Sequence, residues 1–205
     1  MIIAAFGIPG SGKSTTTKEI GKILDIKTFH EPEESDWGEA VKMRKICGNF
    51  NAIMWFRSIR VPHYYKADEL RKIGKSSMLD SSYDKLFYLY HDKPGLEWLF
   101  SSKDIFYDEM VSISKKDYLN LPEIDLLILF KLSEDNWKRF INDRNRNLDN
   151  EEEFKRSFIL QEAFINAART YCKNTNCILY EHSQSYTDSK TEAIKIVNDI
   201  KKYFN

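Results

Sequence analysis

Cysteine is scarce, with Cys47, Cys172 and Cys177 the only three in 205 residues. An odd count with no CxxC pair and no histidine cluster beside it excludes a disulfide framework or a structural zinc site, and reduced, partly buried thiols are expected. The four histidines add nothing to this. His63, His91 and His182 show no ligand spacing, and His30, although next to Glu31, reads as a structural or solvated residue at a strand end. Long apolar runs are missing as well. No stretch approaches the roughly 18 residues of a membrane span, and the opening apolar run to Phe6 is too short for a signal peptide, so a cytoplasmic location with no membrane partner is expected. Net charge is zero, with 31 basic and 31 acidic residues, so global electrostatics offers no case for nucleic acid. Repeats and low-complexity linkers are absent. What is present, 42% hydrophobic and 14% aromatic residues, suffices to bury a core and excludes disorder as the main state. The length fits a single domain over 1–205.

The order of apolar segments predicts an α/β class. Residues 2–6 read as a buried strand running into a glycine-rich loop, followed by a helix over Lys13–Leu24. A second strand over Ile26–His30 stops at Glu31-Pro32, because proline restricts the residue before it. Further strands are expected at Ser77–Asp80, Ile124–Leu132 and Cys177–Tyr180. Between Gly38 and about Arg60 one or two helices are expected, interrupted at Pro62. Amphipathic helices are expected at Leu96–Ser114, Glu134–Asn142, Phe154–Cys172 and Lys190–Tyr203, the last with Ile194, Val197 and Ile200 on its packing face. The polar stretch Asn142–Glu153 reads as a loop.

The string Gly7-Ile8-Pro9-Gly10-Ser11-Gly12-Lys13-Ser14-Thr15 is a complete GxxxxGK[ST], placed after a strand and before a helix as that motif requires. Its glycines let backbone N–H groups turn inward around a polyphosphate, and the following helix offers its positive dipole end. Lys13 is expected to bridge β- and γ-phosphates, and the Ser14 hydroxyl to ligate Mg²⁺. Phosphoryl transfer also needs a group to take the acceptor's proton, a metal-holding carboxylate and cations over the moving phosphoryl. Glu31, at the C-terminal end of strand two, is the candidate base. Asp80, ending the third strand on the same edge, is the candidate Mg²⁺ carboxylate, direct or through water. Each alone reads as a helix cap or surface charge; the shared edge is what joins them. Arg139, Arg144 and Arg146 follow the fourth strand; Arg144 and Arg146 are expected to close over the triphosphate, and Arg139 reads equally as a lid residue or as a solvated basic helix end.

In these residues the sequence resembles the deoxynucleoside kinase family, itself close in fold to the nucleoside monophosphate kinases. Four features match in order: the phosphate loop Gly7–Thr15, the Glu31-Pro32 pair, the strand-end Asp80, and Arg144-Asn145-Arg146. The resemblance implies a three-layer α/β/α P-loop kinase with a central five-stranded parallel sheet, an arginine-bearing lid at about 139–153, and an acceptor-side helical region at about 38–75. It also implies ATP with Mg²⁺ as donor system, transfer to a hydroxyl of a deoxynucleoside or nucleoside-like acceptor, and Glu31 as the base. Trp37, Arg57 and Arg60 are the acceptor-side candidates, Arg60 matching a family arginine. The departures fall on that side too. Ala52-Ile53 stands where the family carries a base-reading phenylalanine-glutamine pair, and Asp80-Ser81-Ser82 replaces an acidic-arginine-serine triplet. Trp37 comes about one residue late, and Arg139 precedes the lid pair by one residue more than the pattern has.

Between Lys42 and Lys75 nine cations face two acids, a local charge of +7, with Trp55, Phe56, Tyr64 and Tyr65 among them. Such a mixture suits phosphate contact and base stacking, and equally a solvated helix face with its aromatics inward. Two further readings therefore stay open: an acceptor that carries phosphate (a nucleoside monophosphate, or a hydroxymethylated base in DNA), and a nucleotide-binding switch without catalysis. A homodimer is left open as well.

Overall fold

Five short apolar segments pair side by side, all parallel, in the computed structural model, which describes residues 1–144, 146–150 and 152–204. They are β1 (Ile2–Phe6), β2 (Lys27–Phe29), β3 (Ser77–Leu79), β4 (Leu126–Lys131) and β5 (Ile178–Ser183), in the order β2-β3-β1-β4-β5. β1 is central and wholly buried, pairing Ile3 with Met78 on one side and with Leu126 on the other. Strand alternation divides its side chains between two cores. Ile3 and Ala5 join Leu126, Ile128 and Phe130 against α1 (Lys13–Leu24) and a C-terminal helix over Ser189–Ile200. Ile2, Ala4 and Phe6 join Leu127 and Leu129 against α2 (Asn49–Lys72), α3 (Tyr107–Asn120), α4 (Glu134–Arg144) and α5 (Leu160–Asn174). The C-terminal helix is α6. These are the three layers expected for the class, with helices on both faces of a parallel sheet.

The chain crosses from β1 outward to β2, returns to β3, and then passes β1 to reach β4. Strand order thus reverses at β1, and the crevice beyond its C-terminal end opens where ligands of such sheets bind. The loop Gly7–Gly12 fills that position.

Four sequence expectations are corrected. Pro62 does not interrupt the helix: α2 runs through it to Lys72. The ring removes one N–H from the ladder, a cost of up to ~3 kcal/mol, but Tyr64 and Ala67 beyond it are buried at 1% and 0% exposure, and this packing holds the segment together. The helix expected at Leu96–Ser114 begins only at Tyr107 and continues to Asn120. Leu96, Trp98 and Phe100 are buried from a turn segment that follows Gly95 (φ +92°), and their spacing of two does not fit a helix face. The described residues of 142–153 are largely helical and not a loop, because α4 extends to Arg144 and short helical turns follow at Asn147–Asn150 and Glu152–Lys155. Asn145 and Glu151 of the expected lid lie outside the described residues. On α6, Ile194 is exposed, and Ala193 and Ile196 join Val197 and Ile200 inside. All three cysteines are free thiols, and Cys47 is exposed.

Candidate active site

The phosphate loop is shaped by two left-handed glycines and by α4. Gly10 (φ +81°) and Gly12 (φ +75°) have conformations that disfavour a side chain, and a Cβ on Gly10 would stand 2.3 Å from Ile141 Cδ1. Trp137, also on α4, donates its indole N–H to Pro9 O at 2.9 Å. No local pattern marks this clamp, which joins residues 128 apart. Lys13 is buried, and its Nζ donates to Gly7 O (2.9 Å), Ile8 O (3.0 Å) and Ser11 Oγ (3.4 Å). Ser14 and Thr15 are exposed at the start of α1.

Burial brings the Lys13 amine from its ordinary 10.5 down to about 8; Glu31 and Asp80 oppose that shift, and Arg144 and Arg146 add to it. A polyphosphate against Nζ favours the charged form, so nucleotide binding near pH 8 takes up a proton. ATP affinity is expected to be flat below pH 8 and to fall by up to about tenfold per pH unit above it. Calorimetry in buffers of different ionisation enthalpy reads the uptake directly. Equal affinity at pH 7 and 9.5 would contradict it.

Loop and acceptor-side residues line one cavity of about 570 Å³. Pro9–Thr15 form its donor end. Glu31, Trp37, Val41, Ala52, Ile53 and Phe56 line its wall, and Phe87, Tyr90, Trp98 and Phe164 add aromatic surface to it. Ala52-Ile53 thus forms an apolar wall. Glu31 is oriented by two neighbours: its backbone N–H donates to both oxygens of Asp80 (3.2 and 3.1 Å), and its carboxylate accepts from Arg60 Nη1 at 2.8 Å. Asp80 is 3% exposed, does not line the cavity, and also meets His30 Nδ1 at 3.5 Å. Its carboxylate therefore holds the backbone of Glu31, an arrangement unlike the metal-facing one expected from its strand-end position. Among the described residues no three His, Cys, Asp or Glu side chains converge as a metal cage. The donor set fits Mg²⁺ held chiefly by nucleotide phosphates and water, with the exposed Ser14 hydroxyl as the protein ligand.

The expected acceptor residues separate. Trp37 lines the cavity, its indole N–H donating to Pro32 O at 3.3 Å. Arg60 lines it too, 12% exposed, with Nε and Nη2 donating to Asp84 at 2.6 and 3.1 Å. Arg57 does not line it; its guanidinium forms a bidentate pair with Asp117 of α3, both bonds 2.7 Å. The structure thus places Arg57 outside the cavity that Trp37 and Arg60 line. Asp84 and Tyr83, which line the cavity, were missed because neither belongs to a motif.

Arg144 and Arg146 both reach the cavity. Arg144 is paired with the buried Asp149, and Arg146 Nη2 donates to Glu33 at 3.0 Å with its guanidinium 5.8 Å from the Trp37 ring. Arg139 points elsewhere: it is exposed, outside the cavity lining, and 5.8 Å from the ring of Tyr186. In the basic segment, Arg57, Arg60, Arg71 and Lys72 are paired with carboxylates of this chain, and Tyr64 and Phe56 turn inward. The +7 count of the linear sequence therefore overstates the charge presented outward.

No family model and no curated protein matches the sequence. Solved structures do. Deoxyadenosine kinase from M. mycoides with bound dATP superposes at a TM-score of 0.73 with 20% identity, over 98% of this chain and all of that one. The same enzyme with products dCMP and a flexible dCDP gives 0.68 at 21% identity, and with bound dCTP 0.67 at 19%, with the same coverage. The chain has the fold of a deoxynucleoside kinase-like P-loop kinase. Among the described residues no helix is long and apolar enough to cross a membrane.

Proposed function

We propose that this protein is an ATP-dependent kinase that moves the γ-phosphoryl group to a hydroxyl of a deoxynucleoside or similar nucleoside. One observation carries the reading: Glu31 and the loop residues Lys13 and Ser14 line the same cavity, which continues into an apolar and aromatic chamber. Glu31 takes the proton of the acceptor hydroxyl, its carboxylate aimed by Arg60 and its backbone by Asp80. Lys13 leaves its loop carbonyls for the phosphates. Arg144 and Arg146 exchange Asp149 and Glu33 for the charge that spreads over the transferred group. Mg²⁺, held at Ser14, would supply further neutralisation of the phosphate oxygens. The chamber walls bury the flat base and exclude water, which limits hydrolysis.

Transfer from γ-labelled ATP tests this, run with deoxynucleosides, deoxynucleoside monophosphates, and DNA carrying normal or hydroxymethylated pyrimidines. Label on a deoxynucleoside is the expected result. A monophosphate acceptor is the second reading, favoured by Arg44, which lines the same cavity from the acceptor side. Label on the monophosphate alone, with acceptor affinity falling steeply as salt rises, would select it. Stoichiometric ATP binding without transfer to any acceptor or to water would instead select the non-catalytic switch.

A further inference from the structure

Arg60 stands at the meeting point of the donor and acceptor sides. Its three guanidinium nitrogens are all engaged: Nη1 on Glu31 at 2.8 Å, Nε and Nη2 on Asp84 at 2.6 and 3.1 Å. Aromatic rings fix it further, Phe56 at 5.5 Å and Tyr83 at 5.7 Å from Cζ. Tyr83 is in turn tied to the phosphate loop. Its hydroxyl donates to Gly7 O at 3.0 Å, the same carbonyl that accepts from Lys13, and Lys13 Nζ lies 5.2 Å from its ring. Position 81, one residue past Asp80, supplies no charge, and the buried Ser81 hydroxyl has no hydrogen-bond partner. The guanidinium beside Glu31 therefore comes from α2.

We propose that Arg60 is the positioning residue of the transfer step: clamped by Asp84 and Tyr83, it fixes the Glu31 carboxylate relative to the phosphate loop rather than binding the acceptor. The charges support that division of labour. Glu31 and Asp84, both on the cavity wall and both held by Arg60, would repel each other without that cation between them, and burial leaves little solvent to screen them. The planar fork of arginine spans both at once. A lysine keeps the charge but offers a single point, so it cannot hold two directions together. Asp84 occupies two of the three nitrogens and thereby leaves Arg60 one orientation, with Nη1 toward Glu31.

The inference rests on Glu31 being the base, and a double-mutant cycle separates the two claims. The variants are Arg60→Lys, Glu31→Gln and the pair, assayed for kcat, for both KM values and for thermal stability. Arg60→Lys is expected to lower kcat about 10²-fold, as for a misplaced reacting group, with KM for ATP and for the acceptor within about threefold of the parent. Added to Glu31→Gln, the same substitution is expected to cost no more than about threefold, because the group it positions is already disabled. Asp84→Asn, which keeps shape and releases the fork, serves if Arg60→Lys folds poorly; it is expected to lower kcat about tenfold and to lose that effect in the Glu31→Gln background. Multiplicative losses in the double variants would overturn the proposal. So would a rise in acceptor KM at unchanged kcat, which would make Arg60 an acceptor-binding residue. If Glu31→Gln alone transfers at the parental rate, the base assignment fails first and the positioning role with it.

Discussion

Glu31→Gln is expected to lower the rate of phosphoryl transfer about 10³-fold while leaving ATP affinity within about twofold of the parent. The amide has nearly the shape of the carboxylate and still offers an oxygen to Arg60 Nη1, and the backbone N–H that bonds Asp80 is untouched. The cavity and the phosphate loop are therefore retained. What is lost is the ability to take a proton from the acceptor hydroxyl, since an amide is not basic near neutral pH. The loss should fall on kcat, with ATP binding by calorimetry as the control. A variant that transfers at the parental rate would remove Glu31 from the mechanism and return the question to the other carboxylates that line the cavity, Glu33, Asp84 and Asp143.

Lys13→Met is the second large effect, and its consequences for function and stability diverge. Transfer is expected to fall at least 10³-fold and ATP affinity at least about tenfold, because the charge meant for the phosphates is gone. Stability should move little. The amine is depressed from 10.5 to about 8 mainly by burial, so the folded chain carries a penalty for holding it charged, on the order of 3 kcal/mol. The penalty is fully present below pH 8 and relaxes as pH rises from about 8 toward 10.5, where the unfolded chain binds the extra proton. Methionine removes it. The same substitution removes the charged donor from Gly7 O and Ile8 O, a loss of roughly 1.5–3 kcal/mol, while the Tyr83 hydroxyl and the Ser11 N–H still donate to them, and the two effects offset. A melting temperature within a few degrees of the parent, together with lost transfer, is the expected pair. A large drop in melting temperature would mean that Lys13 is chiefly a brace for the loop.

Several features were legible because they are local. The run Ile2–Phe6 is apolar on both faces, as a central parallel strand must be, and the glycines after it are required by backbone conformation at Gly10 and Gly12. The length of α1 followed from its pattern, from Lys13 to Leu24. Where the pattern misled, packing overrode it. Pro62 sits inside a helix because Tyr64 and Ala67 are buried beyond it, Leu96 and Trp98 became part of a cavity wall, and Phe100 went into the core.

The sequence by itself determined the parallel α/β class, the phosphate loop and the candidacy of Glu31, since each depends on residues close together in the chain whose backbone geometry follows from their own types. Only the tertiary structure decided which charges meet. It paired Arg57 with Asp117, turned Arg139 toward Tyr186, set Asp80 under the backbone of Glu31, and brought Arg60 between Glu31 and Asp84. Those pairs join residues 24 to 60 positions apart. A charge count along the chain assigns each side chain a sign but no partner, and partner choice depends on which elements the sheet order places face to face.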